Sequence, residues 1–273
     1  MSHDTANGLH FKNVASVYDS VRNTDPAVVR AIIERLPNGR AHNDIADVGC
    51  GTGRYSKVIL THLPTAGRFY CCDYSPAMLA ECRRRMVKTA EGRRIYFSCT
   101  SAASLPLATR SLDGLVTFNA VHHFNLGRFL AEAARVLRPD GILAIYTRTP
   151  EQNARTIWGE LFPQFTHYET RLFTREYLSD AIRHEGALTL EDVREFSFTR
   201  EETPDELVAK ARSHHYSTFA LYPPEEFEAA VTIFERELRK RVNGNPRVAH
   251  QGHNTLLLAR RLTNGHITCD VAP

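Results

Sequence analysis

The chain has 273 residues, 42% hydrophobic and 24% charged, enough to bury a sizeable core in one large domain or one domain with a lid. Its formal charge of +3 comes from mixed signs spread along the chain apart from Arg83-Arg84-Arg85, which disfavours a nucleic-acid partner. No apolar run approaches a membrane span and the first residues lack the pattern of a secretory signal, so no membrane partner is expected and the cytoplasm is the expected compartment.

Asp25-Pro26 reads as a helix N-cap with proline at the first helical position; Val28, Val29, Ile32, Ile33 and Leu36 follow at helical spacing until Pro37-Asn38-Gly39. Ile45–Val48 reads as a buried strand, Tyr55–Leu63 as a helix and Phe69–Asp73 as a second strand. Ser75-Pro76 opens a helix running to about Lys88. Ile95–Ser98 and Leu112–Phe118 are further strands, followed by a helix over 127–137, a turn at Pro139-Asp140-Gly141 and a strand over Ile142–Thr147. Such alternation predicts a parallel sheet with helices on both faces. After Thr147 the rhythm changes to a helical, aromatic-rich stretch over 148–183, a strand over Leu188–Phe198, two helices within 203–242 and a last strand over His253–Leu262. Segments 148–183 and 200–250 are long for bare connections and are read as a lid over the carboxyl ends of the strands.

The junction of the first strand and its helix reads Asp47-Val48-Gly49-Cys50-Gly51-Thr52-Gly53, with an acid, Asp73, closing the next strand. Three glycines let the backbone turn tightly and approach a ligand, and a carboxylate at Asp73 can take both hydroxyls of a ribose. The dinucleotide fingerprint asks for G-x-G-x-x-G/A, whereas Arg54 and Tyr55 stand here where a pyrophosphate needs bare backbone. A nucleoside without a pyrophosphate is favoured, and a dinucleotide oxidoreductase is disfavoured.

These residues resemble the first motif of the class I S-adenosylmethionine (SAM)-dependent methyltransferases. The resemblance extends to Tyr18-Asp19-Ser20-Val21-Arg22 as an entry helix, Asp73-Tyr74-Ser75-Pro76-Ala77-Met78 as the second motif, Ser104-Leu105-Pro106-Leu107 after the third strand, and the stretch from Arg135 to Leu143 leading into the fifth. It covers about half the chain. It implies a Rossmann-like seven-stranded α/β sheet whose final strand inserts between strands five and six, SAM as cofactor and S-adenosylhomocysteine as product. The organisation expected is 1–147 as the SAM-binding core with its entry helices, 148–263 as the rest of the sheet plus a helical lid, and 264–273 as a fraying tail.

The resemblance implies that Asp47 with Gly49, Cys50, Gly51 and Gly53 flanks the methionine part of SAM, that Asp73 holds the ribose, and that Tyr74 and Met78 lie near the adenine. Tyr18 and Arg22 share a helix face that would fold over the cofactor. Ser101, beside Ala102, departs from the family: an acid usually stands there to accept the adenine amino group, and a hydroxyl accepts without charge assistance. The resemblance puts Asn119, His122 and His123 where the chain passes the reactive methyl group. A histidine there could hydrogen-bond the cofactor or substrate, or act as a base with an ordinary pKa of about 6.5. Tyr146 and Arg148 at the end of the fifth strand, with Trp158, His214, His215 and Tyr216 in the lid, are the candidate substrate wall.

The six cysteines show no metal or disulfide spacing, and Cys71 and Cys72 alternate to opposite faces of their strand, so no metal is expected. The same lack of convergence counts against an arsenite- or thiol-type methyltransferase. The expected activity is methyl transfer to an O, N or S atom of a small, partly apolar acceptor by a monomer or homodimer, with a non-catalytic SAM-binding protein as the alternative.

Overall fold

Seven strands form one mixed sheet in the order β3-β2-β1-β4-β5-β7-β6. They are β1 (Ile45–Val48), β2 (Arg68–Asp73), β3 (Arg94–Cys99), β4 (Leu112–Phe118), β5 (Leu137–Thr147), β6 (Leu188–Glu202) and β7 (Val248–Arg261). The computed structural model describes residues 24–38, 41–64, 67–86, 94–242 and 246–263. The entry-helix residues Tyr18 and Arg22 and the tail 264–273 lie outside the described residues. Strands β1 to β5 are parallel, and β7 runs antiparallel between β5 and β6, which is the insertion that the resemblance implies.

Alternation along the strands sends side chains into two layers. Ile45 and Cys71 face a core formed with α1 (Pro26–Ile33), α2 (Arg54–His62) and α3 (Pro76–Met86), through Val28, Val29, Ile32, Ile59, Leu79 and Met86. Ala46, Val48 and Cys72 face the other, formed with α4 (Leu126–Val136) and with the helix Arg175–His184 through Phe129, Leu130, Ala133, Leu178 and Ile182. At the amino ends of the strands Asp44, almost fully buried, accepts from the guanidinium groups of Arg68 at 2.7 Å and Arg138 at 3.1 Å, while Arg138 also holds Asp113 at 2.6 Å. Burial alone would raise the Asp44 pKa, but the two arginines overcome it and hold the carboxyl at about 2.

Three expectations change at this level. Residues Pro139-Asp140-Gly141 are a bulge within β5 rather than a turn before it: Leu112 pairs with Leu137 and Gly114 with Ile142, with Asp140 at φ 71° taking up the extra chain. Strands β6 and β7 are longer than predicted, pairing from Leu188↔Arg261 to Glu202↔Val248. The outer part of this ribbon carries polar residues with little hydrophobic alternation, which hid it. Finally, the segments after β5 carry their own apolar cluster. Two short helices and their link hold Ile157, Trp158, Phe162 and Phe165, which pack against Leu207, Phe219, Phe227, Val231, Phe234 and Leu238 from the segment between β6 and β7.

Candidate active site

The glycine loop owes its shape to three left-handed residues. Gly49, Gly51 and Gly53 have φ of 72°, 55° and 79°. A Cβ at Gly49 would meet Ala120 at 2.6 Å and one at Gly53 would meet Cys82 Sγ at 2.6 Å, so these two serve packing. At Gly51 a Cβ would meet nothing within 4 Å, because that position faces a cavity. The N–H groups of Gly49 and Cys50 donate to Cys72 O at 2.8 and 3.0 Å, tying the loop to β2.

Two carboxylates flank this loop. Asp73, at the end of β2, accepts from Gly51 N at 2.8 Å through Oδ2 and from Ser75 N at 2.8 Å through Oδ1. Burial raises its pKa, opposed by these backbone donors. Asp47, 1% exposed at the end of β1, accepts from Ser56 Oγ at 2.5 Å through Oδ2, while its Oδ1 is buried with no hydrogen-bond partner among the described residues. Burial, only partly offset by Ser56, pushes its pKa up to about 7.

Both acids line one cavity of about 590 Å³, within the range of small-molecule sites. Among the sequence candidates, Asp47, Gly49, Cys50, Gly51, Asp73, Tyr74, Met78, Ser101, Ala102, Asn119, His122, His123, Arg148, His215 and Tyr216 all line it. Asn119 is held at φ 52°, a conformation asparagine tolerates better than most residues, with its N–H donating to Tyr146 O at 2.7 Å. His122 and His123 lie in a short 3-10 turn with ring centroids 4.1 Å apart. Neither caps the following helix, because Asn125 does, accepting from Arg128 N at 3.1 Å.

Four candidates do not line the cavity. Gly53 packs under α3. Tyr146 is fully buried among the rings of Tyr55, Phe118 and Phe196, at centroid distances of 5.9, 6.1 and 6.0 Å. Trp158 and His214 belong to the apolar cluster beyond the sheet, Trp158 with its ring 4.9 Å from Phe234 and His214 with its ring 4.6 Å from Phe227. An aromatic after a strand looks like a substrate wall in sequence; here the separate core has consumed it.

The second half of the chain lines the cavity with residues that the sequence reading missed: Phe198 and Arg200 of β6, Asn254 of β7, Glu169 and Thr218. Arg148 reaches Asn254 Oδ1 at 3.3 Å and the Tyr216 hydroxyl at 3.1 Å, lying 5.3 Å above that ring. Arg200 lies 4.6 Å over Phe198, its Nε buried and without a hydrogen-bond partner among the described residues. Glu169 is held by Arg171 and by Thr218 Oγ1, both at 2.5 Å, so that burial, which would raise its pKa, is outweighed and the carboxyl titrates below its usual range. Extending the period-two alternation of β6 past Phe198 is the signal that would have found Arg200.

The cysteines require a correction. Cys72 does face away from Cys71, but Cys50, Cys71 and Cys82 converge, their sulfur atoms all within 4.8 Å of one another. Sequence spacing concealed this because the three lie on a loop, a strand and a helix that only the fold brings together.

Comparison with known proteins agrees with this geometry. A family model described as "Methyltransferase domain" matches residues 46–145. The chain is 30% identical over 167 residues to "Probable tRNA methyltransferase 9B" of Homo sapiens, covering 57% of this chain and 33% of that protein. It is 32% identical over 138 residues to the malonyl-[acyl-carrier protein] O-methyltransferase of Alcanivorax borkumensis, covering 50% of this chain and 45% of that one. The chain thus spans between a third and half the length of these relatives. In fold it is similar to the [4+2]-cyclase SpnF (TM-score 0.60, 20% identity, 88% of this chain and 82% of that one). It is also similar to the geranyl diphosphate C-methyltransferase of Streptomyces coelicolor (TM-score 0.55, 14% identity, 86% and 79%). Relatives named for tRNA leave the expectation against nucleic acid without support. No described helix is long and apolar enough to cross a membrane. The strand order and the glycine loop flanked by two acids thus accompany a match of residues 46–145 to the methyltransferase-domain family model.

Proposed function

We propose that this protein moves a methyl group from SAM to an O, N or S atom of a small acceptor. One observation carries the reading: a single cavity joins the glycine loop and its two acids to a polar wall built from the second half of the chain. The residues present suit SAM. Asp47 Oδ1, buried and without a partner among the described residues, offers an acceptor to the ammonium group of the methionine part. Each oxygen of Asp73 keeps a lone pair for a ribose hydroxyl, and Gly51 leaves room for the backbone to be approached.

When bound, SAM supplies a methyl group on a sulfonium whose departure is already activated. The protein's task is therefore alignment and exclusion of water, worth about 7–11 kcal/mol in well-oriented reactions. Arg148, Arg200, Tyr216 and Asn254 orient the acceptor from the β6–β7 side. His122 and His123, opposite them in chain terms and close to Asn119, take the acceptor's proton where attack requires its loss. The cation-bearing wall favours an acceptor with an anionic group, since an unpaired buried guanidinium N–H is costly until something accepts from it.

The test is incubation with methyl-labelled SAM and, in separate arms, a pool of small metabolites and total tRNA. Label in the small-molecule arm is expected. Label confined to tRNA would replace the acceptor class, and tight SAM binding without transfer in either arm would make the chain a binding protein.

A further inference from the structure

Cys50, Cys71 and Cys82 come from the glycine loop, β2 and α3, yet their sulfur atoms lie within 4.8 Å of one another. Cys71 and Cys82 are fully buried, and Cys50, 9% exposed, lines the cavity. Three thiolates bonded at about 2.3 Å to one central atom stand roughly 4 Å apart. Small side-chain rotations would close the set. Cys82 can sit where it does because Gly53 has no side chain to occupy that space.

Charge selects the ligand. A divalent cation on three thiolates leaves one net negative charge, in a core where Cys71 and Cys82 are fully buried. A trivalent metalloid hydroxide leaves none. In As(OH)3 + 3 R–SH → As(SR)3 + 3 H2O, three As–O and three S–H bonds break, three As–S and three O–H bonds form, each thiol proton departs in water and no oxidation state changes. The product is neutral and apolar, which suits a dry core.

We infer that Cys50, Cys71 and Cys82 form a binding site for a trivalent metalloid, entered from the cavity past Cys50. Once closed, it clamps the glycine loop to β2 and α3. The metalloid is a ligand behind the loop rather than the methyl acceptor, so the inference stands apart from the proposed activity.

The experiment uses the reduced full-length protein with arsenite, a phosphine as reductant and native mass spectrometry. One arsenic per chain is expected, with the loss of three hydrogens, and digestion should leave the peptides of Cys50, Cys71 and Cys82 joined through it. Removing one of three converging ligands should weaken binding by about 100-fold in Cys71→Ser and Cys82→Ser. Cys99→Ser, at an exposed thiol, should match the wild type. Saturating S-adenosylhomocysteine should slow uptake. No adduct on the wild-type chain, an adduct joined through other cysteines, or tighter binding of Cd2+ than of arsenite would each overturn the inference, and none of these readings requires a variant to fold.

Discussion

The N–H of Gly51 donates to Asp73 Oδ2 at 2.8 Å, so the acid that closes β2 also sets the loop that follows β1. Asp73→Ala therefore removes two things, the proposed grip on the ribose and the tether of the loop. Each charge-assisted hydrogen bond lost costs about 1.5–3 kcal/mol, which is about tenfold or more in affinity for each. Calorimetry with S-adenosylhomocysteine should show this loss in a folded variant. An affinity within about twofold of the wild type would remove Asp73 from the cofactor site.

Two glycines of one loop should fail differently. Gly51→Val adds a side chain into open space and costs only the left-handed conformation, about 1–2 kcal/mol. It should fold and lose measurable cofactor binding. Gly53→Ala drives a methyl into Cys82 Sγ at 2.6 Å and Met86 Cε at 2.7 Å, and overpacking of this kind costs about 1–3 kcal/mol. Its Tm should fall more than its affinity. Thermal denaturation and calorimetry on the pair separate the two outcomes, and the reverse pattern would mean that Gly51 is only a turn.

Asp47 links stability to pH with an unusual sign. Its folded pKa of about 7 lies above the ordinary aspartate value of 3.8, so between those values the folded chain holds a proton that the unfolded chain has lost. Stability from this group is complete below about pH 4 and falls as pH rises towards 7. Asp47→Asn should thus raise the Tm of the cofactor-free protein at pH 8 while weakening SAM binding, which needs the carboxylate. In the wild type, affinity for SAM should drop as pH falls below about 7. A variant that is less stable at pH 8, with unchanged affinity, would contradict the assignment.

Arg200 offers a separation of acceptor from cofactor. Its Nε is buried without a hydrogen-bond partner among the described residues, in the part of the cavity lining that β6 supplies. Once an acceptor is found, Arg200→Gln should lower kcat/KM by about tenfold or more, the scale of one charge-assisted bond. The dissociation constant of S-adenosylhomocysteine should stay close to that of the wild type. Equal losses in both would place Arg200 against the cofactor.

The arginine at the base of the sheet bears on folding alone. Arg138→Ala would leave Asp44 and Asp113 buried with a partner removed, a change that typically costs about 3–5 kcal/mol. The depressed pKa of Asp44, about 2, contributes stability above the unfolded value of 3.8 that is lost as pH falls between them. Urea unfolding should show the difference between wild type and variant at pH 7 shrinking towards pH 2.

Sheet order and the glycine-loop end of the cavity were legible because their signals are local: a strand, three glycines and an acid stand within a few residues of one another, and Asp73 ends the next strand. What escaped was set by distant packing. Trp158 and Tyr146 carry the same side chains whether they face a substrate or a core, and only the cluster around Phe219 and Phe234 decides it. The thiol cluster has no spacing to read, because a turn, a strand and a helix each supply one member. Arg200 was lost with the polar end of β6, where Thr199 to Glu202 alternate in exposure but not in hydrophobicity.

Strand β7 has a consequence for synthesis. It lies between β5 and β6, pairing Ile142 with Arg260 and Leu188 with Arg261. On the ribosome every residue of the glycine loop and both its acids emerge long before the strand that fills this gap. Until then β5 presents an unpaired apolar edge and β6 has no neighbour in the sheet, so the nascent chain passes through an interval open to edge-to-edge association. A product truncated anywhere before Val248 would be left permanently in that state, carrying an intact nucleoside-binding motif on a sheet that cannot close.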